Sequence, residues 1–221
     1  MTNSKKLNVV AGGTTVAALL SLFFSLHSTP PAVDFRPHEA LGEVLAAEAS
    51  RLLAPGARLI VLARDPQPYQ VPASAAQVDS FARAVRKSGH SITAIRTFKL
   101  DPLRLVAVPS GDFFALLRNG REGDVIVSFL GPPVLDEGQL AKLGGKRSHI
   151  LAVCSGAVPA QVDLKKLFEQ ELLTAAVVSR YDAPTRAVSG SKQNSFEQMF
   201  KIITSANVSE LLNPVTALNR F

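Results

Sequence analysis

Residues 124–133 read Asp-Val-Ile-Val-Ser-Phe-Leu-Gly-Pro-Pro, an apolar run rich in β-branched residues that Gly-Pro-Pro stops. A strand covered on both faces needs no alternation of apolar and polar residues, so this is the pattern of a central strand in a parallel sheet. Residues 57–63, 149–153 and 174–179 follow the same logic. Residues 91–98 partly alternate, as an outer strand of the sheet does. Helix-length amphipathic segments separate these runs. Strands that alternate with helices require a parallel sheet with helices on both faces. The expected fold is therefore α/β, a three-layer Rossmann-like or flavodoxin-like parallel sheet of about five strands. Ligands of such sheets bind in the crevice at the carboxyl ends of the strands.

The helices come from apolar periodicity. Residues 37–53 place Leu41, Val44, Leu45, Ala49 and Leu52 on one face, and residues 74–87 do the same with Val78, Phe81, Ala82 and Val85. Residues 110–117 open with Ser-x-Asp, a helix-start signal. Residues 136–143 and 162–173 are the next helices. Residues 195–206 carry Phe196, Met199, Phe200 and Ile203 at i, i+3, i+4 and i+7, which predicts an amphipathic helix. Residues 103–108 fit an added strand or an extended connection equally well.

Ahead of this domain lies an apolar stretch. Residues 7–26 carry no charge, and at about 1.5 Å per residue they span a hydrocarbon core of roughly 30 Å. Lys5 and Lys6 precede the stretch and no cation directly follows it, which puts the N-terminus in the cytoplasm. The expectation is a signal anchor over 1–27, a linker over 28–34, an extracytoplasmic α/β domain over 35–212 and a tail over 213–221. A cleaved signal peptide is the rival, although 26–31 (Leu-His-Ser-Thr-Pro-Pro) lacks the small-x-small cleavage pattern. The expected location is the cell (inner) membrane, single-pass, with the main domain on the periplasmic side.

With 24 basic and 18 acidic residues the chain carries +6. The charges are scattered. Arginine-rich tracts, basic strands interleaved with aromatics and zinc-finger spacings are absent from the sequence, so no nucleic-acid partner is expected. The excess suits a solvated surface, anionic headgroups or an acidic partner subunit. Cys154 is the single cysteine, so the chain forms no internal disulfide or cysteine-based cluster.

Catalytic signatures fail one by one. The first strand leads into Ala63-Arg64-Asp65-Pro66, with no glycine-rich turn for a dinucleotide. Residues 142–148 contain Gly-Lys but follow a helix, which is not the setting of a phosphate loop. The central strand ends Phe129-Leu130-Gly131, without a phosphoacceptor aspartate. Val153 stands where a nucleophile elbow around Ser155 needs glycine. His27, His38, His90 and His149 form no pair with metal-ligand spacing. The expectation is a chain that is not an enzyme and has no cofactor or metal. Arg64, Asp65, Lys99, Ser155, Arg180, Tyr181 and Asp182 fall at the expected carboxyl edge. They could hold a small polar ligand or a partner's loop.

The layout over 57–206 resembles one lobe of the extracytoplasmic binding proteins of ABC transporters. Residues 124–133 carry the resemblance, together with Phe196, Phe200, Thr204 and Asn207 in a Phe-x-x-x-Phe-x-x-x-Thr-x-x-Asn pattern. The family closes two lobes over a ligand, and this chain has length for one. Two functions are expected. The first is a membrane-anchored, non-catalytic accessory or binding subunit that works with other subunits of a membrane complex. The second is a small-ligand sensing or solute-binding domain.

Overall fold

In a computed structural model, residues 34–67, 71–100, 107–145, 148–156, 158–180 and 192–210 are described, beside the single residue Ser21. The chain divides between Asp34 and Phe35, and the following concerns the part from Phe35 onward. The anchor over 7–26 (Ser21 excepted), the segment 103–106 and the tail over 213–221 lie outside the described residues. Among the described residues no helix is long and apolar enough to cross a membrane.

The chain opens with helix α1 (Arg36–Leu52), which has a proline in its first turn and an extended residue, Leu53, at its end. Strand β1 (Leu59–Arg64), helix α2 (Pro72–Lys87) and strand β2 (Ala94–Phe98) follow. Helix α3 (Ser110–Arg118) leads to β3 (Val125–Ser128), α4 (Glu137–Ala141) and β4 (His149–Cys154). Two short helices, α5 (Val158–Gln161) and α6 (Leu164–Glu169), precede β5 (Ala175–Ser179). Helix α7 (Lys192–Met199) runs directly into β6 (Phe200–Ile203).

The six strands lie in the order β2-β1-β3-β4-β5-β6. The first five are parallel and β6 is antiparallel to β5. β3 is central and its four residues are buried, as the unbroken apolar run requires. β2 forms an edge, and its middle residues are exposed. Alternate residues of β1, β3, β4, β5 and β6 feed two cores. Ile60, Leu62, Ile126, Ile150 and Ala152 meet α3 and α6 through Phe113, Leu116, Leu167 and Phe168. Leu59, Val61, Val125, Val127, Leu151 and Val153 meet α1, α2 and α7 through Leu41, Leu45, Phe81, Val85 and Phe196.

The sequence reading needs correction at the C-terminal end. Residues 195–206 are not one helix: α7 stops at Met199 and the chain becomes a sixth strand. On a helix Phe196, Phe200 and Ile203 would share a face. The strand instead sends Phe200 into one core and Ile203 into the other. The free edge of β5 supplies the backbone partners that decide this, with Val177 opposite Ile202. Asn207 then fixes the strand end, its Oδ1 accepting from Thr204 N at 2.7 Å and its Nδ2 donating to Ile202 O at 3.1 Å.

Residues 162–173 likewise do not form one helix. Asp163 caps α6 by accepting from Lys166 N at 3.0 Å, and α6 ends at Glu169. The outer strand begins at Ala94, after Thr93 has exchanged bonds with Leu59. Ser110 lies inside α3, whose cap position is Pro109 and carries no side-chain bond. Residues 107–108 are neither strand nor helix.

Candidate functional site

Chain order reverses between β1 and β3, because β2 lies on one side of β1 and β3 on the other. In open α/β sheets this reversal opens a crevice at the carboxyl ends of the strands. On the β1 side it presents Arg64, the last residue of the strand, and Asp65. Asp65 N donates to Phe98 O at 2.9 Å, which keeps β1 and β2 together past the strand ends. Its carboxylate accepts from Gln67 N at 2.9 Å and so shapes its own loop.

On the β3 side the exit is apolar and closed. Phe129 N donates to Leu62 O at 2.9 Å, and the Phe129 ring meets Phe81 edge-on at 5.7 Å. Ser128 is buried, with its Oγ accepting from Leu130 N at 3.3 Å. Gly131 turns the chain at φ +92°, a conformation glycine adopts without strain. Gly131, Pro132 and Pro133 are buried, so they form a rigid wall. The sequence marks this stretch as the central strand and its stop, and the structure adds that its buried exit lies on the β3 side of the reversal.

The other candidates spread along the same edge. Lys99 follows β2 and is exposed, and Ser155 follows β4 and is exposed. Arg180 follows β5, where its N donates to Met199 O at 2.9 Å and its Nη1 to Glu197 O at 3.0 Å. Those contacts place its positive charge at the carbonyl end of α7, a favourable position for a cation. With strands about 4.8 Å apart, Lys99 and Arg180 stand about 19 Å from each other, four strand spacings. Five candidates thus share an edge, but only Arg64, Asp65 and Lys99 flank the reversal on the β1 and β2 side, with Ser155 two strands away from β1. Tyr181 and Asp182 lie outside the described residues.

A second cluster of polar groups occupies the opposite, amino edge and was not singled out from sequence. Asp124 is 1% exposed. Its Oδ1 accepts from Arg58 N at 2.7 Å, and its Oδ2 accepts from Arg58 Nη2 at 2.6 Å, Arg58 Nε at 3.0 Å and Arg121 N at 2.9 Å. Arg58 Nη2 also donates to Asn119 O at 2.8 Å. Burial pushes this carboxyl upward, but the Arg58 and Arg121 hydrogen bonds and the Arg58 charge together hold it below its ordinary value. The cluster clamps the start of β3 to the start of β1 and is structural. The signal for it was an acid and a base each opening a buried strand. Their pairing becomes visible only once β1 and β3 are known to be neighbours.

Cys154 is fully buried, and burial alone pushes its thiol up to about 12. It is a core residue. Among the described residues no group of three His, Cys, Asp or Glu is arranged to hold a metal.

No family model matches the chain, and no curated protein does. Solved structures do. A sugar-binding protein of a sugar ABC transporter from Bacillus halodurans superposes with a TM-score of 0.50 at 11% identity, over 79% of this chain and 64% of that one. The XylFII–LytSN complex superposes with a TM-score of 0.50 at 11% identity, over 77% of this chain and 61% of that one. The chain therefore spans less than two thirds of the length of either. At these identities the likeness concerns the fold, a mostly parallel six-stranded α/β domain similar to one lobe of the extracytoplasmic binding proteins of ABC transporters.

Proposed function

We propose that this chain is a small-ligand-binding domain, a solute binder or sensor, held at the outer face of the cell membrane by its apolar N-terminal segment. The observation that carries the reading is the reversal between β1 and β3. It puts Arg64, Asp65 and Lys99 on one side of the reversal and the buried Phe129–Pro133 exit on the other, and open α/β sheets bind their ligands at such a reversal. A charged group beside an apolar wall suits a small polar molecule with one apolar face. The fold shared with the Bacillus halodurans sugar-binding protein makes sugars the first class to try. Residues 7–26 supply the tether and the expected periplasmic location. A catalytic role lacks support, since Ser155 stands at the edge without a nucleophile elbow around it.

A second reading has one observation in its favour. The XylFII–LytSN structure is a complex, so this fold also docks on other proteins. An accessory subunit of a membrane complex would use its surface in that way. Purification from native membranes in mild detergent separates the two: stoichiometric recovery with another membrane protein supports the accessory role. Recovery alone leaves the solute reading, which is tested by thermal shift against sugars, amino acids and anions, with Arg64→Ala as the variant expected to abolish any stabilisation.

A further inference from the structure

We infer that two copies of this chain pair through the outer edge of β2, antiparallel, with Ile95 facing Ile95 of the second copy on the twofold axis. The inference stands apart from solute binding, since it uses neither Arg64 nor the exit of β3.

The sheet ends on β2 at one side and on β6 at the other, and the two edges are finished differently. Beside β6, Arg180 N donates to Met199 O at 2.9 Å. By the alternation of an antiparallel pair, Phe200 and Ile202 then aim their backbone groups away from β5. Asn207 Nδ2 occupies Ile202 O at 3.1 Å, which blunts that edge. In β2, Phe98 lies opposite Arg64 and its carbonyl accepts from Asp65 N at 2.9 Å. Ala94, Arg96 and Phe98 therefore turn their backbone groups to β1, and Ile95 and Thr97 turn theirs outward. Among the described residues no strand lies beyond β2.

Neither face of β2 is covered at its middle, where Ile95, Arg96 and Thr97 are all exposed. Ile95, at 52%, is the most exposed large apolar side chain among the described residues. An open edge with an exposed β-branched residue and a single charge in the strand is a template for another strand. A symmetric antiparallel pair can centre on Ile95, Arg96 or Thr97. Centred on Arg96, it sets two arginines directly opposite at the closer spacing, about 4.5 Å between Cα atoms, which like charges oppose. Centred on Thr97, it sets Ile95 against Lys99 of the second copy. Centred on Ile95, it lets Ile95 and its copy exchange both backbone bonds and bury each other's side chains. Arg96 then stands opposite Ala94 and no longer meets its own copy. A twofold contact requires a surface that complements itself, and this register makes β2 such a surface, which is why a second copy is the occupant. The two sheets become one across the axis.

The test uses the full chain in detergent micelles and the variants Ile95→Cys, Thr97→Cys and Val134→Cys, all at exposed positions. The buried Cys154 takes no part. On the axis the two Cα atoms of residue 95 lie about 5.5 Å apart, within reach of a disulfide. Under mild oxidation the expected result is at least several-fold more disulfide-linked dimer for Ile95→Cys than for either other variant. Equal yields, a higher yield at 97 or 134, or no linked dimer would overturn the inference. A second variant, Ile95→Lys, sets like charges on the axis and leaves the interior intact, because Ile95 belongs to neither core. Sedimentation in the same detergent should give a dimer for the wild-type chain and a monomer for Ile95→Lys, with Tm of the monomeric fold unchanged. A wild-type monomer, or a dimer that survives Ile95→Lys, would equally overturn it.

Discussion

At the residue scale the strongest demand is at Asp124. A carboxylate with 1% exposure is tolerated because four donors reach it, three of them from Arg58. Asp124→Asn should lower stability by about 3 kcal/mol in urea unfolding, since it leaves Arg58 without its counter-charge. The carboxyl is held below 3.8, so the unfolded state binds the proton more readily. Its contribution is then complete above the ordinary carboxylate range and declines as pH falls through 3.8 and below. Wild type should lose stability over that range more steeply than Asp124→Asn, and equal slopes would refute the assignment. Cys154, at about 12, should ignore thiol reagents in the native protein and react stoichiometrically once urea unfolds it. Its burial was legible from its place at the end of an apolar run. The Arg58–Asp124 pair was not, because 66 residues separate its members and only strand order joins them.

At the element scale the parallel strands were legible because each is an unbroken apolar run, and β2 because it partly alternates. β6 was hidden by a coincidence of spacing. Phe196, Phe200 and Ile203 fit helical periodicity, and only the open edge of β5 shows that a strand is favoured there. Asn207→Ala removes the bonds that fix the end of this strand and should cost about 1–2 kcal/mol, with earlier hydrogen exchange in 200–203 than in β3. Gly42 was equally silent in sequence. A Cβ there would overlap the Gln77 carbonyl oxygen and stand 2.7 Å from Phe81 N, so α1 and α2 cross on a bare backbone. Gly42→Ala should destabilise by about 1–3 kcal/mol despite the better helix propensity of alanine, as thermal unfolding would show. A stabilised Gly42→Ala would mean that the two helices are further apart than described.

At the scale of the whole molecule, the sheet order sorts a list of polar loop residues by their distance from the reversal between β1 and β3. Sequence placed Arg64, Asp65, Lys99, Ser155 and Arg180 at strand ends, and the fold puts them on one edge. It could not rank them, because strand order is a long-range property. Ranking follows from the reversal between β1 and β3, which favours Arg64 over Arg180, whose guanidinium is engaged at the end of α7. The measurement that bears most directly on the proposed function is a thermal-shift titration of the full chain with sugars, run in parallel on Arg64→Ala. A ligand at about one hundred times its Kd stabilises by about 2.7 kcal/mol, which in a domain of this size raises Tm by roughly 5–10 °C. The account predicts such a rise in wild type and its loss in Arg64→Ala. A rise that persists in Arg64→Ala, or no rise with any sugar, amino acid or anion, would contradict it.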